Sequence, residues 1–178
     1  MMSGDEMVYT NMESPVGPIL LARVETGLTH IMFHGSKYPA RIREGWRKDA
    51  APLRDAVDQL RAYFAGERFN FDLPLAAGGT PFQKKVWAAL CEIPCGETRS
   101  YGEQAASIGL PDASRAVGAA NGRNPIAIVI PCHRVIGANG KLTGYAGGLN
   151  IKQALLEHEA HMIRKPGEQL AMSLPGDA

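Results

Sequence analysis

The sequence lacks an even cysteine set: Cys91, Cys95 and Cys132 are its only thiols in 178 residues, and none precedes Cys91. An odd count argues against a disulfide-stapled scaffold, and a chain of this length buries a core without one. No basic-then-apolar leader precedes the first periodic residues, so free thiols in a reducing, cytoplasmic compartment are expected. Long hydrophobic runs are also missing. Pro18–Val24 and Ile126–Pro131 are the longest, far short of the roughly 20 residues a membrane-spanning helix needs. A membrane protein is excluded on that ground. There is no overall excess of charge, since the net is +1. Its distribution is uneven: residues 1–80 carry nine basic and ten acidic side chains, whereas residues 81–152 carry eight basic against four acidic. Phosphates, if any are met, are expected on the second half.

Short β-like runs come first. Pro18–Val24 and Leu28–Phe33 are separated by turn residues Gly17, Gly27 and Gly35 and read as a small antiparallel sheet. Leu53, Val57, Leu60 and Phe64 repeat at helical spacing before the stop at Gly66, so one helix is expected to pack on that sheet. Phe69, Phe71, Leu73 and Leu75 alternate and read as a further strand. The pair Gly78-Gly79 then divides an α/β N-terminal subdomain, residues 1–79, from a mainly α C-terminal subdomain, residues 80–178.

The second part reads as helices. Thr80-Pro81-Phe82-Gln83 and Ser100-Tyr101-Gly102-Glu103 are capping boxes, the first with proline at the opening helical position. The helix opened at Ser100 runs to about Ile108, and Gly109-Leu110-Pro111 turns into a segment from Asp112 to Asn121. Two short helices about a glycine turn form a helix-turn-helix candidate, although a generic helical hairpin has the same pattern. In the second of them Ala113, Ala116, Gly118, Ala119 and Ala120 surround one long cation, Arg115. A helix lying in a narrow groove with one arginine pushed inward needs that composition; an alanine-rich helix is also simply a good helix. A loose tail follows Arg164.

Cys132 ends the apolar run Ile126–Pro131 and is followed by His133 and Arg134. The thiolate is the reactive form, and nearby cations lower the thiol's usual pKa of about 8.5, so His133 and Arg134 are candidate polarisers. Adjacent side chains rarely point at each other, so a proton path from Cys132 to His133 would run through a water or a tight turn. A carboxylate is wanted behind the imidazole, with Glu157 and Glu159 as the nearby candidates. Cys91 and Cys95 flank a helix end, have no zinc or redox spacing and read as structural, and isolated His30 and His34 make a metal site improbable.

Pro131-Cys132-His133-Arg134-Val135, with Asn124-Pro125 before it and Gly144-Tyr145-Ala146-Gly147-Gly148 after it, resembles the signature of the O6-alkylguanine-DNA alkyltransferases. The likeness extends over roughly residues 80–161 through Thr80–Gln83, Val86-Trp87, Ile93-Pro94, Ser100-Tyr101 and Arg115-Ala116-Val117. It implies repair of O6-alkylguanine in double-stranded DNA, with O4-alkylthymine as a further candidate, by one irreversible transfer to Cys132 after the base is flipped. No cofactor is implied, and the chain is expected to act as a monomer.

Residue by residue, the resemblance makes Cys132 the acceptor, His133 the water-linked base, Glu159 the carboxylate behind it, and Asn124 the tie between the active-site turn and the helix-turn-helix. It makes Tyr101 the residue that crowds a phosphate and donates to guanine N3, and Arg115 the finger that fills the vacated stack. Ala113, Ala116, Gly118 and Arg123 would meet DNA. Tyr145 would wall the pocket, the Ala146 N–H would meet guanine O6, and the Cys132 and Val135 carbonyls would receive the exocyclic amine. Ala146 stands where some relatives carry serine, but a main-chain contact survives that change. No cysteine precedes Cys91, so the N-terminal zinc of some relatives is not expected. Two alternatives are weighed. A lesion-binding protein without transfer activity would lack the acceptor cysteine, and a cysteine hydrolase would need a histidine free to approach the thiol.

Overall fold

A computed structural model describes residues 6–35 and 41–164; the tail beyond Arg164 lies outside the described residues. Strands β1 (Val8–Met12), β2 (Ile19–Val24), β3 (Gly27–Phe33) and β4 (Arg47–Lys48) form a sheet in the order β3-β2-β1-β4. The β1–β2 and β2–β3 pairs are antiparallel as expected, but β4 joins β1 in parallel, so the sheet is mixed. Ile19, Leu20, Leu21 and Ala22 are all fully buried, which explains the unbroken apolar run of β2: the central strand is covered on both faces. A single 3₁₀ turn, Ala51–Leu53, leads into helix α1 (Arg54–Phe64), whose inward face is Ala56, Leu60 and Tyr63. Tyr63 occupies the core position that periodicity gives to Phe64.

The expected strand over Phe69–Leu75 is not formed. It makes one isolated bridge, Leu28 with Leu75, in which Leu28 N donates to Pro74 O at 2.9 Å and Ala76 N to Leu28 O at 2.7 Å. A side chain replaces the ladder further up: the Gln59 amide accepts from Asp72 N at 2.9 Å and donates to Asp72 O at 3.0 Å. Pro74 offers no N–H, so the alternation of Phe71 and Leu73 records burial against α1 and the sheet rather than strand pairing. Gly27 permits this docking, because a Cβ there would stand 2.6 Å from Pro74 O.

Helices α2 (Pro81–Cys91), α3 (Tyr101–Ser107) and α4 (Ser114–Gly122) follow, with α3 and α4 in the helix-turn-helix arrangement. Both capping boxes form reciprocally, Thr80 with Gln83 and Ser100 with Glu103, each satisfying two end N–H groups and contributing about 1 kcal/mol. Strand β5 (Arg99–Ser100) pairs in parallel with β6 (Val135–Ile136), which ties the start of α3 to the segment after Cys132. The chain ends its described part in α5 (Leu149–Met162), a helix that the sequence reading did not delimit. One continuous apolar core runs from Val8 through Trp87 and Val117 to Leu155. The first and second halves also share backbone hydrogen bonds: Ile31 N donates to Pro125 O at 2.9 Å and Ala127 N to Ile31 O at 3.1 Å.

The two helices of the helix-turn-helix are locked by a buried amide pair. Gln104 Nε2 donates to Asn121 Oδ1 at 2.9 Å and Asn121 Nδ2 to Gln104 Oε1 at 2.7 Å. Removing either amide strands the other in the core. Gln104→Ala and Asn121→Ala should each cost about 1–3 kcal/mol, and the double variant should cost less than their sum by about 1 kcal/mol. Denaturant unfolding of the four proteins measures this; strict additivity would show that the pair contributes nothing as a pair.

Candidate active site

Cys132 opens a single 3₁₀ turn, Cys132–Arg134, at the end of the buried run. That run is folded tightly rather than extended: Val129 N donates to Ala127 O at 2.8 Å, Ile130 N to Ile126 O at 3.0 Å and Cys132 N to Ile130 O at 2.9 Å. Ile128 stands at φ 71°, a left-handed backbone that costs a β-branched residue roughly 1–3 kcal/mol. Asn124 holds the frame. Its Oδ1 accepts from Ile126 N at 3.0 Å, while Nδ2 donates to Ile130 O at 2.7 Å and to Cys132 Sγ at 3.2 Å.

His133 turns away from the thiol into the core, where Nε2 lies 2.6 Å from Glu159 Oε2, the two side chains 0% and 1% exposed. An ionised carboxylate only accepts, so Nε2 carries the proton and Nδ1 is the acceptor. Nδ1 is buried without a hydrogen-bond partner among the described residues, as is the hydroxyl of Tyr145. Burial holds the imidazole below its usual pKa against the opposing pull of Glu159, with Arg134 and Lys152 adding to the lowering.

Glu159 is the meeting point. Besides His133 it receives Tyr63 OH at 2.6 Å on Oε2, Arg134 Nε at 2.7 Å on Oε1, Arg134 Nη2 at 3.1 Å on Oε2, and Gly96 N at 3.5 Å on Oε1. Burial alone would raise its pKa, but the hydrogen bonds from His133 and Arg134 and the charge of Arg134 outweigh it and hold the carboxyl well below the usual carboxylate range. Of the two candidate carboxylates, Glu157 is exposed and bonds Gln153 Nε2 at 2.9 Å.

Arg134 is therefore not a polariser of the thiol, as the sequence suggested; it spends its guanidinium on Glu159 and on Ile93 O at 2.7 Å. The cation that acts on Cys132 is Lys152, buried on α5, with Nζ 2.6 Å from Val135 O and 2.9 Å from Thr143 O. Nor is the resting thiol acidic. Burial pushes Cys132 above its ordinary value, and the Asn124 hydrogen bond and the Lys152 charge offset only part of that. Cys95 is pushed up to about 11 by burial and by Glu159, and Cys91 is raised by burial.

The remaining candidates lie around this centre. Tyr101, half-buried at the start of α3, faces Gly118 of α4, where a Cβ would stand 3.6 Å from its ring, and its hydroxyl accepts from Thr143 Oγ1 at 3.1 Å. Arg115, Ala116 and Arg123 are exposed on or just past α4, with Ala113 half-buried at its N-cap. Val135 is buried and Ala146 half-buried. Tyr145 lies near Phe33, ring centroids 6.1 Å apart, and its phenol is raised first by burial and then by the charge of Cys132. Sequence reasoning missed Lys152 and Tyr63. Lys152, Leu155 and Glu159 at helical spacing on the buried face of α5 were the available signal for the first.

Residues 81–161 match the family model described as 6-O-methylguanine DNA methyltransferase, DNA binding domain, and residues 7–77 match its ribonuclease-like domain. The methylated-DNA–protein-cysteine methyltransferase of Methanosarcina acetivorans is 60% identical over 153 residues, covering 86% of this chain and 98% of the relative. That of Mycobacterium tuberculosis is 57% identical over 152 residues, covering 85% and 91%. A crystal structure of Mycobacterium tuberculosis OGT in complex with DNA superposes with a TM-score of 0.82 at 54% identity, covering 87% of this chain and 94% of that one.

The buried ionic cluster makes the protein acid-sensitive. Glu159 titrates below its ordinary 4.5 and His133 below its ordinary 6.5 in the folded chain. Both therefore contribute stability that is present above those ordinary values and lost as pH falls through and below them. Glu159→Gln should cost about 3–5 kcal/mol at pH 7 by leaving Arg134 buried and unpaired, and should flatten the decline in stability below about pH 5. Thermal unfolding across pH 4–8 tests it; parallel curves for the two proteins would contradict it.

Proposed function

The chain belongs to the 6-O-methylguanine DNA methyltransferase family, and from that premise we propose that it repairs O6-alkylguanine in double-stranded DNA by transferring the alkyl group to Cys132. The observation that carries this reading is the arrangement at the active-site turn: a thiol held by Asn124 and, on the next residue, an imidazole whose Nε2 is tied to a buried carboxylate and whose Nδ1 has no partner among the described residues. Cys132 loses its proton to His133 Nδ1 through a bridging water, which a thiol raised by burial requires. The sulfur then attacks the alkyl carbon, the S–C bond forms as the O6–C bond breaks, and the electron pair passes to the guanine. A thioether results. Nothing in the site is suited to cleaving it, so each molecule reacts once.

Attack in line with the O6–C bond requires the base outside the duplex. Arg115, exposed on α4, fills the gap it leaves, and Arg123, Ala113, Ala116 and Gly118 line the DNA-facing side of that helix. Guanine leaves well only if charge developing on O6 and N3 is stabilised. Tyr101 suits this role because its oxygen already accepts from Thr143, which leaves its own proton to donate to N3. The Ala146 N–H serves O6, and Tyr145 walls the pocket. The Cys132 and Val135 carbonyls take the exocyclic amine, Val135 through the lone pair that Lys152 does not use. Among the described residues no helix is long and apolar enough to cross a membrane. The free thiols fit a reducing, cytoplasmic compartment, and in this reading the protein acts there as a monomer without cofactor. The alternative of a lesion-binding protein without transfer is opposed by Cys132 itself.

One experiment tests both chemistry and DNA handling. With a duplex carrying one O6-methylguanine, the intact protein should gain one methyl in place of a proton, at Cys132 and in one-to-one stoichiometry. Cys132→Ser should bind that duplex and gain nothing. Arg115→Ala should slow repair of the duplex by roughly a hundredfold, because unstacking costs a few kcal/mol, while reaction with the free modified base stays near wild type. Repeated turnover, or modification of Cys91 or Cys95 instead, overturns the assignment of the acceptor; equal slowing of both substrates by Arg115→Ala overturns the finger.

A further inference from the structure

Tyr63 belongs to the first half of the chain, on the inner face of α1, yet its hydroxyl ends 2.6 Å from Glu159 Oε2, 96 residues later. The phenol is fully buried and bonds to the same oxygen that receives His133 Nε2. Its position is fixed from two further directions. His158 of α5 lies with Nε2 2.7 Å from the Tyr63 backbone carbonyl, and the ring packs edge-on against both His158 and Phe64 at centroid distances of 5.1 Å. A tyrosine placed only to fill the core has no need to end on the carboxylate behind the proposed base.

We propose that Tyr63 is a positioning residue for alkyl transfer: by donating to Glu159 Oε2 it takes up part of the carboxylate's charge, and so keeps His133 neutral with Nδ1 open as the proton acceptor. The inference deepens the reading of His133 as the base and rests on it. A buried carboxylate 2.6 Å from an imidazole draws a second proton onto the ring unless its charge is spread over other donors. Arg134 supplies two of those donors and Tyr63 supplies the neutral one. The other charged or titratable groups coupled to the pair are Lys152 from α5, Cys95 from the loop before β5, and Tyr145, whose phenol also feels the charge of Cys132. Lys152 and Arg134 push His133 in the same direction as the phenol. In turn the Glu159 charge drives the Tyr63 phenol far above its usual range, after burial as the larger cause, so Tyr63 remains a donor at every relevant pH.

The consequence is specific. Tyr63→Phe keeps the ring and removes one hydrogen bond to Oε2, which leaves more charge on the carboxylate and favours the imidazolium. Transfer from free O6-benzylguanine to Cys132, which needs no base flipping, is followed against pH by intact mass. The acid limb of the rate should move upward by roughly half a pH unit or more in Tyr63→Phe, a loss of about threefold below the limb and much less above it. Installing 3-fluorotyrosine at position 63 alone strengthens the donor and should move the limb downward, a measurement that stands even if the phenylalanine variant does not fold. A purely structural role for Tyr63 would lower the rate uniformly, or lower only the melting temperature, and a limb unmoved by both replacements overturns the proposal. His133→Gln separates this from failure of the underlying reading. If its slow residual transfer retains the wild-type limb, His133 is not the base and both fall; if the limb vanishes with His133→Gln but ignores Tyr63, only the role of Tyr63 falls.

Discussion

A carboxylate taken out of water is the constraint around which this molecule is built. Glu159 is 1% exposed, and an ion so placed is tolerable only when donors replace its hydration. They come from the helix of the first half, from the loop after α2, and from the turn that carries the nucleophile, through Tyr63, Gly96, His133 and Arg134. Satisfying one charge thus fixes the relative placement of α1, α5 and the active-site turn. The Ile31–Pro125 and Ala127–Ile31 hydrogen bonds pin the other end of the same turn to β3. The first half of the chain, which contributes no group proposed to touch the base or the alkyl carbon, is in this way part of the site's framework.

The thiol shows what that framework achieves. A cysteine raised by burial is a poor nucleophile at rest, which protects a protein whose acceptor is consumed by any alkylation. In the proposed mechanism reactivity depends on a proton leaving for His133, and the tautomer of His133 is set by Glu159 rather than by Cys132. The backbone around the thiol is held in an unfavourable shape at Ile128 by the three hydrogen bonds of Asn124, one of which ends on the sulfur itself. Stability is thereby exchanged for position at the reacting atom.

Much of this was legible from the residues. Both capping boxes, the helix-turn-helix and the short strands β2 and β3 follow from local chemistry that operates within a few residues, and the motif around Cys132 carried its own chemistry. What failed depended on distant partners. Phe69–Leu75 alternates like a strand, but its would-be ladder is replaced by the Gln59 side chain and interrupted at Pro74. β4 is two residues long and pairs in parallel, which no local pattern announces. Arg134 looked like a neighbour of the thiol because it is only two residues away in sequence, whereas the tight turn sends it to Glu159. Lys152 and Tyr63 act across separations of 20 residues or more from the groups they serve, and only the buried face of α5 brings Lys152 into view.

The central claim is that Glu159 holds His133 as a neutral imidazole with its proton on Nε2. Nitrogen-15 NMR of histidine-labelled protein reads this directly at pH 7, with His133→Gln to assign the resonance. The account predicts a protonated Nε2 and an unprotonated Nδ1 in the wild type, and loss of that fixed tautomer in Glu159→Gln. A doubly protonated ring, or a proton resident on Nδ1, would contradict it.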